Sequence, residues 1–247
     1  MSADHRSGTI PSAHLTTTHK MEYMRSYMHV FERDDWFVNL LLSSLCFFIP
    51  VIGQVIFMGY QYQVVEGFVR RPHEKMSKFN FNQFTELLTR GVYPFVISLI
   101  LQLLMAPVFI VIFIAPMAIP AMFDREAQGI VITFVVIFMF LAIILLSFVL
   151  QLILLPLMLR AGLCQSFHET FNLRWLRSWV KMMWLEEIMS SAFLLITGIF
   201  VSFIGMLMCF IGIYPATVLI MLAMSHLTYQ QYTIFLANGG EPIPLKD

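Results

Sequence analysis

The chain has 247 residues, 59% of them hydrophobic and only 12% charged, with no formal net charge. A soluble domain carries about 25% charged residues, so this composition points to a chain whose main solvent is lipid. A zero charge balance gives no footing for a nucleic-acid partner. The three cysteines form neither a zinc spacing nor a disulfide framework.

Residues 1–20 are polar and lack an apolar h-region, so they read as a flexible tail rather than a signal peptide. Residues 21–240 read as one polytopic membrane domain, and 241–247 as a short C-terminal tail. Four stretches carry no Asp, Glu, Lys or Arg: 36–65, 91–123, 127–159 and 188–240. A bilayer core of roughly 30 Å needs about 20 helical residues. The second and third stretches each supply one crossing. The fourth is too long for one and must fold back, with Gly212-Ile213-Tyr214-Pro215 as the break. The runs are continuously apolar, without the short alternation of barrel strands. Helix is therefore the form that satisfies the backbone in lipid.

The first stretch is ambiguous. As one helix it gives five spans; as a hairpin turning at Pro50-Val51-Ile52-Gly53 it gives six. Under the positive-inside rule, six spans put fourteen of the fifteen Lys and Arg residues inside and only Arg125 outside. Five spans leave the split at ten and five. The charge count favours six spans, near 36–49, 51–69, 92–120, 130–157, 188–211 and 215–236, with both termini cytoplasmic. Residues 36–49 would make only about 21 Å of helix, so the first hairpin is expected to be shallow. The expected fold is an all-α membrane protein of about six transmembrane helices, arranged as three α-hairpins.

The inner loops read as amphipathic interfacial helices. Phe167, Phe171, Trp175, Trp179 and Met183 recur at i+4 as an apolar stripe, and Arg174, Arg177 and Lys181 form a basic one. Such a helix suits anionic lipid heads, which makes Arg174, Trp175, Arg177, Trp179 and Lys181 candidate membrane-interface residues. The plainer alternative is an amphipathic helix packed on the bundle. Phe81, Phe84, Leu87 and Leu88 form a weaker stripe in the first loop.

Polar residues inside apolar runs are functional candidates by default. His226 and Gln230 share a helix face at i, i+4. With Gln54 and Gln61 they could line a polar path, or serve as interhelical glue. Glu66 and Arg70 read as a solvated helix-end pair. Met21, Met24, Met28 and His29, like Met221, Met224 and His226, combine soft Cu(I) ligands, although methionine is more simply a gap-filler. No HExxH, GxSxG, Walker or dinucleotide motif is present. No cofactor is expected, and no catalytic residue is assigned.

Asp34-Asp35-Trp36, then Pro50, Gly53, Gly59 and Tyr60, then Gly91, and the closing letters His226, Leu227, Gln230 and Tyr232, together resemble a prokaryotic membrane family: domain of unknown function family four thousand and thirteen. The resemblance covers roughly 21–240. It marks Trp36, Pro50, Gly53, Gly59 and Tyr60 as shape-determining residues. It implies a multi-span membrane protein and supplies no activity. The leading expectation is a non-enzymatic scaffold or complex subunit in the cell membrane, contacting the lipid bilayer and a membrane-protein partner or a second copy. The alternative is a small-solute transporter or channel component. A lipid-modifying enzyme, which would use polar groups near Arg70, His73 and Glu74, is the weakest reading.

Overall fold

The computed structural model describes residues 20–72, 74–208 and 211–246. The expected N-terminal tail up to residue 19, His73 and Cys209 lie outside them. Among the described residues the fold is all-α. Its helices are α1 (Arg25–Phe31), α2 (Trp36–Ser44), α3 (Ile52–Arg70), α4 (Phe84–Ala118), α5 (Arg125–Cys164), α6 (Phe167–Thr170), α7 (Leu173–Leu207) and α8 (Ile213–Ala237). A 3-10 turn, Leu45–Phe48, extends α2.

The breaks have local causes. After the 3-10 turn, Val51 takes φ 63°, a left-handed conformation costly for a β-branched residue. It is held between Pro50 and the close approach of Gly53 to Cys46. A Cβ on Gly53 would sit 1.7 Å from the Cys46 carbonyl oxygen, so only glycine fits there. The Asn172 side chain caps α7 by accepting from the Trp175 N–H at 3.1 Å. Pro215 falls in the first turn of α8, where its missing N–H breaks no intrahelical bond.

The first apolar run goes out and returns. The Asn39 side-chain amide donates to the Tyr60 hydroxyl at 2.9 Å, and its oxygen accepts from the Phe79 N–H at 2.8 Å. Arg33 donates to the Met76 carbonyl at 2.6 Å, and Lys78 pairs with Asp35 at 3.2 Å. Residues before α2 and after α3 therefore lie at one end of the bundle. Next, α3 crosses α4 at Gly59 and Gly91. A Cβ on Gly91 would lie 1.8 Å from the Val55 oxygen. In turn α4 packs on α5, α5 on α7, and α7 on α8, which closes against α1, α2 and α3.

Two large apolar clusters fill the bundle, beside a smaller one of Ile97, Leu157 and Ala161. Tyr60, Phe57, Val64 and Phe79 pack with Val218 and Leu222 of α8. Leu159, Trp175, Trp179, Met183 and Phe235 form the second cluster, with Ile243 of the C-terminal segment. This second cluster corrects the interfacial expectation. Trp175 and Trp179 are 1% and 0% exposed and stack at 5.2 Å with Phe235 against both. Their indole N–H groups donate to the Glu241 carbonyl at 2.7 Å and to the Glu187 carboxylate at 3.2 Å. Trp175, Trp179 and Met183 are core, because a helix of the same fold covers them, while Phe167 and Phe171 of the same stripe stay exposed. Arg174, Arg177 and Lys181 remain on the exposed side. Apart from the four-residue α6, the amphipathic segments of the two loops belong to longer helices. The 173–185 segment is the opening of the continuous α7, and the 84–88 segment opens α4.

The rest of the surface is markedly apolar. None of the described residues from Leu99 to Leu154 is buried. Leu103 is 65% exposed, Phe134 70% and Met122 82%. The far part of the α4–α5 hairpin is thus an arm packed only helix against helix. Three helices are long and apolar enough to cross a membrane: Phe81–Ala118 (whose first turn is 3-10), Arg125–Cys164 and Leu173–Leu207. The apolar Trp36–Phe48 segment is shorter. α3 and α8 fall below that standard; α8 is diluted by His226, Thr228, Gln230, Gln231 and Thr233.

Candidate functional site at the charged end of the bundle

The segment from Lys20 through α1 is tied to α8 by one glutamine. The Glu22 N–H donates to Gln230 Oε1 at 2.7 Å, and Gln230 Nε2 donates back to the Glu22 carbonyl at 3.1 Å. The same Nε2 lies 2.9 Å from His226 Nδ1. An amide nitrogen only donates, so Nδ1 accepts and a neutral His226 ring carries its proton on Nε2. Tyr27 fixes α1 to α7 as well. Its hydroxyl donates to Thr197 Oγ1 at 2.8 Å, because the Thr197 hydroxyl proton goes to the Phe193 carbonyl at 2.7 Å.

His29 lies under this clasp. Its ring stacks on that of His226 at 4.4 Å and 19°, and Phe68 meets both rings edge-on at 5.5 and 5.3 Å. His29 is 3% exposed, and among the described residues neither ring nitrogen has a hydrogen-bond partner. Burial, reinforced by His226, pushes its pKa down to about 3. A cleft of about 310 Å³ opens here, lined by Glu22, Arg25, His29, Phe68, His226 and Gln230 among others. Further along α8, Val218 and Leu222 are fully buried against Phe57 and Val64, which leaves that level dry.

The structure brings His226 and Gln230 together and leaves the other two glutamines apart. Gln61 donates to the Met221 carbonyl at 3.1 Å, and Gln54 is exposed at the start of α3. Met24 and Met28 point outward, at 64% and 62% exposed. Among the described residues no three His, Cys, Asp or Glu side chains gather as a metal site. Pro50 and Gly53 stand at the turn before α3, and Gly59 stands at the α3–α4 crossing. Tyr60 is fully buried and donates to the Ser77 carbonyl at 2.9 Å, while Trp36 meets Phe31 edge-on at 5.0 Å.

Two groups escaped the sequence reading. His29 was legible only as a neighbour of methionines, and nothing in its spacing indicated its pairing with a ring 197 positions later. Glu66 is 8% exposed rather than solvated. It accepts from Arg70 Nε at 2.7 Å and also from Arg90 Nη1.

The family model described as "Protein of unknown function (DUF4013)" matches residues 42–210, well over half of the chain. The chain belongs to this family. The DUF4013 match takes in the Gly59–Gly91 crossing, the α4–α5 arm and α7. It does not reach Trp36, α1 or α8, so the histidine cleft lies mostly outside it, as do the closing letters His226, Leu227, Gln230 and Tyr232. Neither a curated protein nor a solved structure matches the chain.

Proposed function

We propose that this chain is a non-enzymatic subunit or scaffold of the cell membrane, crossing it six times with both termini on the cytoplasmic side. The observation that carries the reading is the α4–α5 arm, in which no described residue from Leu99 to Leu154 is buried. Burial of apolar surface is favourable by roughly 25 cal/mol per Å². An arm this apolar is therefore stable only where lipid or another protein covers it. Lipid alone suffices for solubility. An apolar hairpin reaching beyond the packed core offers, in addition, a surface for helix–helix association.

Six crossings are supported by the meeting of Arg33 with Met76 and of Asp35 with Lys78, on either side of the first apolar run. The full burial of Val218 and Leu222 against Phe57 and Val64, beyond the histidine cleft, favours a scaffold over a transporter.

Photo-crosslinking in native membranes tests the reading, with the crosslinker placed singly at Leu104 and at Phe138, both on the arm and 62% and 68% exposed. The expected result is one discrete protein adduct, of a partner or of a second copy, recurring from both positions. Lipid adducts alone at both sites would remove the subunit role.

A further inference from the structure

We infer that the groove walled by Arg70, Arg90 and Lys246 is a phosphate-binding site, filled in the membrane by the headgroup of an anionic phospholipid. The inference deepens the membrane reading above and rests on it.

Two guanidiniums share one buried carboxylate. Arg70 and Arg90 both donate to Glu66, and the side chains of Arg90 and Glu66 are only 13% and 11% exposed. The trio carries one net positive charge, with Arg90 and Glu66 largely buried and Arg70 partly exposed at 44%. A guanidinium offers five N–H donors. Among the described residues Arg90 directs a single bond, to Glu66. Arg70 uses two donors, one on Glu66 and one on the Lys246 carbonyl at 2.8 Å. The unspent donors border open space. Clefts of about 260 and about 680 Å³ share Glu66, Arg70 and Arg90 in their walls.

The larger cleft also meets Thr85, Thr89 and Lys246. Lys246 is held in place by the C-terminal strap. Its N–H donates to the Leu163 carbonyl at 3.3 Å, and upstream the Ile243 N–H donates to the Tyr232 hydroxyl at 2.8 Å. Its ammonium lies 3.3 Å from Gln165 Oε1. Glu86 on the rim opposes an anion, and among the described residues three cations against two carboxylates line the groove. Planar guanidiniums match a phosphate's oxygens.

The surroundings favour a lipid as the source. Phe81 and Phe84 are exposed just before Thr85, and α4 continues from the groove with exposed Val92, Leu99 and Ile100. A headgroup in the groove would lay its acyl chains along α4. Basic pockets between membrane helices on the cytoplasmic side take anionic headgroups in this way.

Native mass spectrometry of the full chain in detergent tests the site, with phosphatidylglycerol and phosphatidylcholine titrated separately. Inorganic phosphate is followed by thermal shift. Phosphatidylglycerol should bind in preference to phosphatidylcholine. Arg90→Gln should weaken it about tenfold, the scale of one lost charge-assisted pair, and Glu66→Gln should strengthen it. Because Arg90→Gln orphans Glu66, Thr89→Glu on the exposed rim serves as a second variant that leaves the ion trio intact, and it should weaken binding as much. Inorganic phosphate binding with the same Arg90 and Thr89 dependence would keep the site and assign it a soluble source. Unchanged phosphatidylglycerol binding in both Arg90→Gln and Thr89→Glu would overturn the site. Failure of the crosslinking experiment alone would leave these binding results standing, so the two readings fail separately.

Discussion

His29 loses its water without gaining a hydrogen bond, a cost that its neutral ring bears more easily than a charged one. The groups facing it are His226 on α8, Lys20, Glu22, Arg25 and Glu32 around α1, and Glu74 after α3. Of these, His226 and Arg25 oppose protonation. The carbonyls of Ser26 and Arg25 favour it without reaching hydrogen-bond geometry. With a docked pKa of about 3 against an ordinary value of about 6.5, the undocked segment binds more protons between those limits. Docking of α1 is therefore fully favoured above about pH 6.5 and is lost as pH falls toward 3. At pH 5 the loss is of order 2 kcal/mol. The protection factor for hydrogen exchange over residues 22–31, each rate referred to the intrinsic rate at its own pH, should be lower at pH 5.0 than at pH 7.5. His29→Phe, which keeps the stacking, should shrink the difference. Equal protection of the wild type at both pH values would contradict this account. At this scale the sequence was legible where partners are near in the chain, as for His226 and Gln230. It was opaque where they are far. The i+4 spacing of Trp175 and Trp179 says that one face is apolar. Whether that face meets lipid or protein depends on Phe235 and Leu159, which local spacing does not reveal.

Among the elements, the hairpin turn at Pro50–Gly53 was readable because proline and glycine mark it directly. α7 was not readable as one rod, because the charges at Arg174–Glu187 suggested a loop. Yet no proline or glycine stands between Leu173 and Gly198, so nothing in the backbone ends the helix there. Conversely, α4 continues through Pro94, Pro107 and Pro116, although each proline removes an intrahelical donor. The crossing of α3 and α4 is where backbone meets backbone. Gly91→Ala would press a methyl group toward the Val55 carbonyl and force the two helices apart. A loss of about 1–3 kcal/mol is expected, seen as a lower Tm of the full chain in detergent. Gly129→Ala is the matched control, being in the interior of α5 with nothing within 4 Å of the added carbon. Its Tm should hold or rise slightly, by the helix propensity of alanine. Similar Tm values for the two variants would show that the helices do not cross as closely as described.

Across the whole molecule, charge and apolar surface are segregated. Arg33, Arg70, Arg71, Lys75, Lys78 and Arg90 lie near one another through the α2–α3 hairpin, while Arg125 stands at the tip of the α4–α5 arm. The five-span and six-span readings agree that residues 75 and 181 share a side and that residue 125 is opposite. They differ at the N-terminus. Single cysteines at Lys20, Lys75, Arg125 and Lys181, in a background with Cys46, Cys164 and Cys209 replaced, separate them by labelling with a membrane-impermeant maleimide. Six crossings require Lys20 to label with Lys75 and Lys181, and Arg125 only from the other face. Lys20 labelling together with Arg125 would restore a single first span. That result would conflict with the physical link already made there, since Lys20 and Glu74 border the same cleft and Arg33 reaches the Met76 carbonyl. The contact between Arg33 and Met76 brings the two ends of the apolar run together, and the labelling pattern at Lys20 decides whether that run makes two short crossings or one long one.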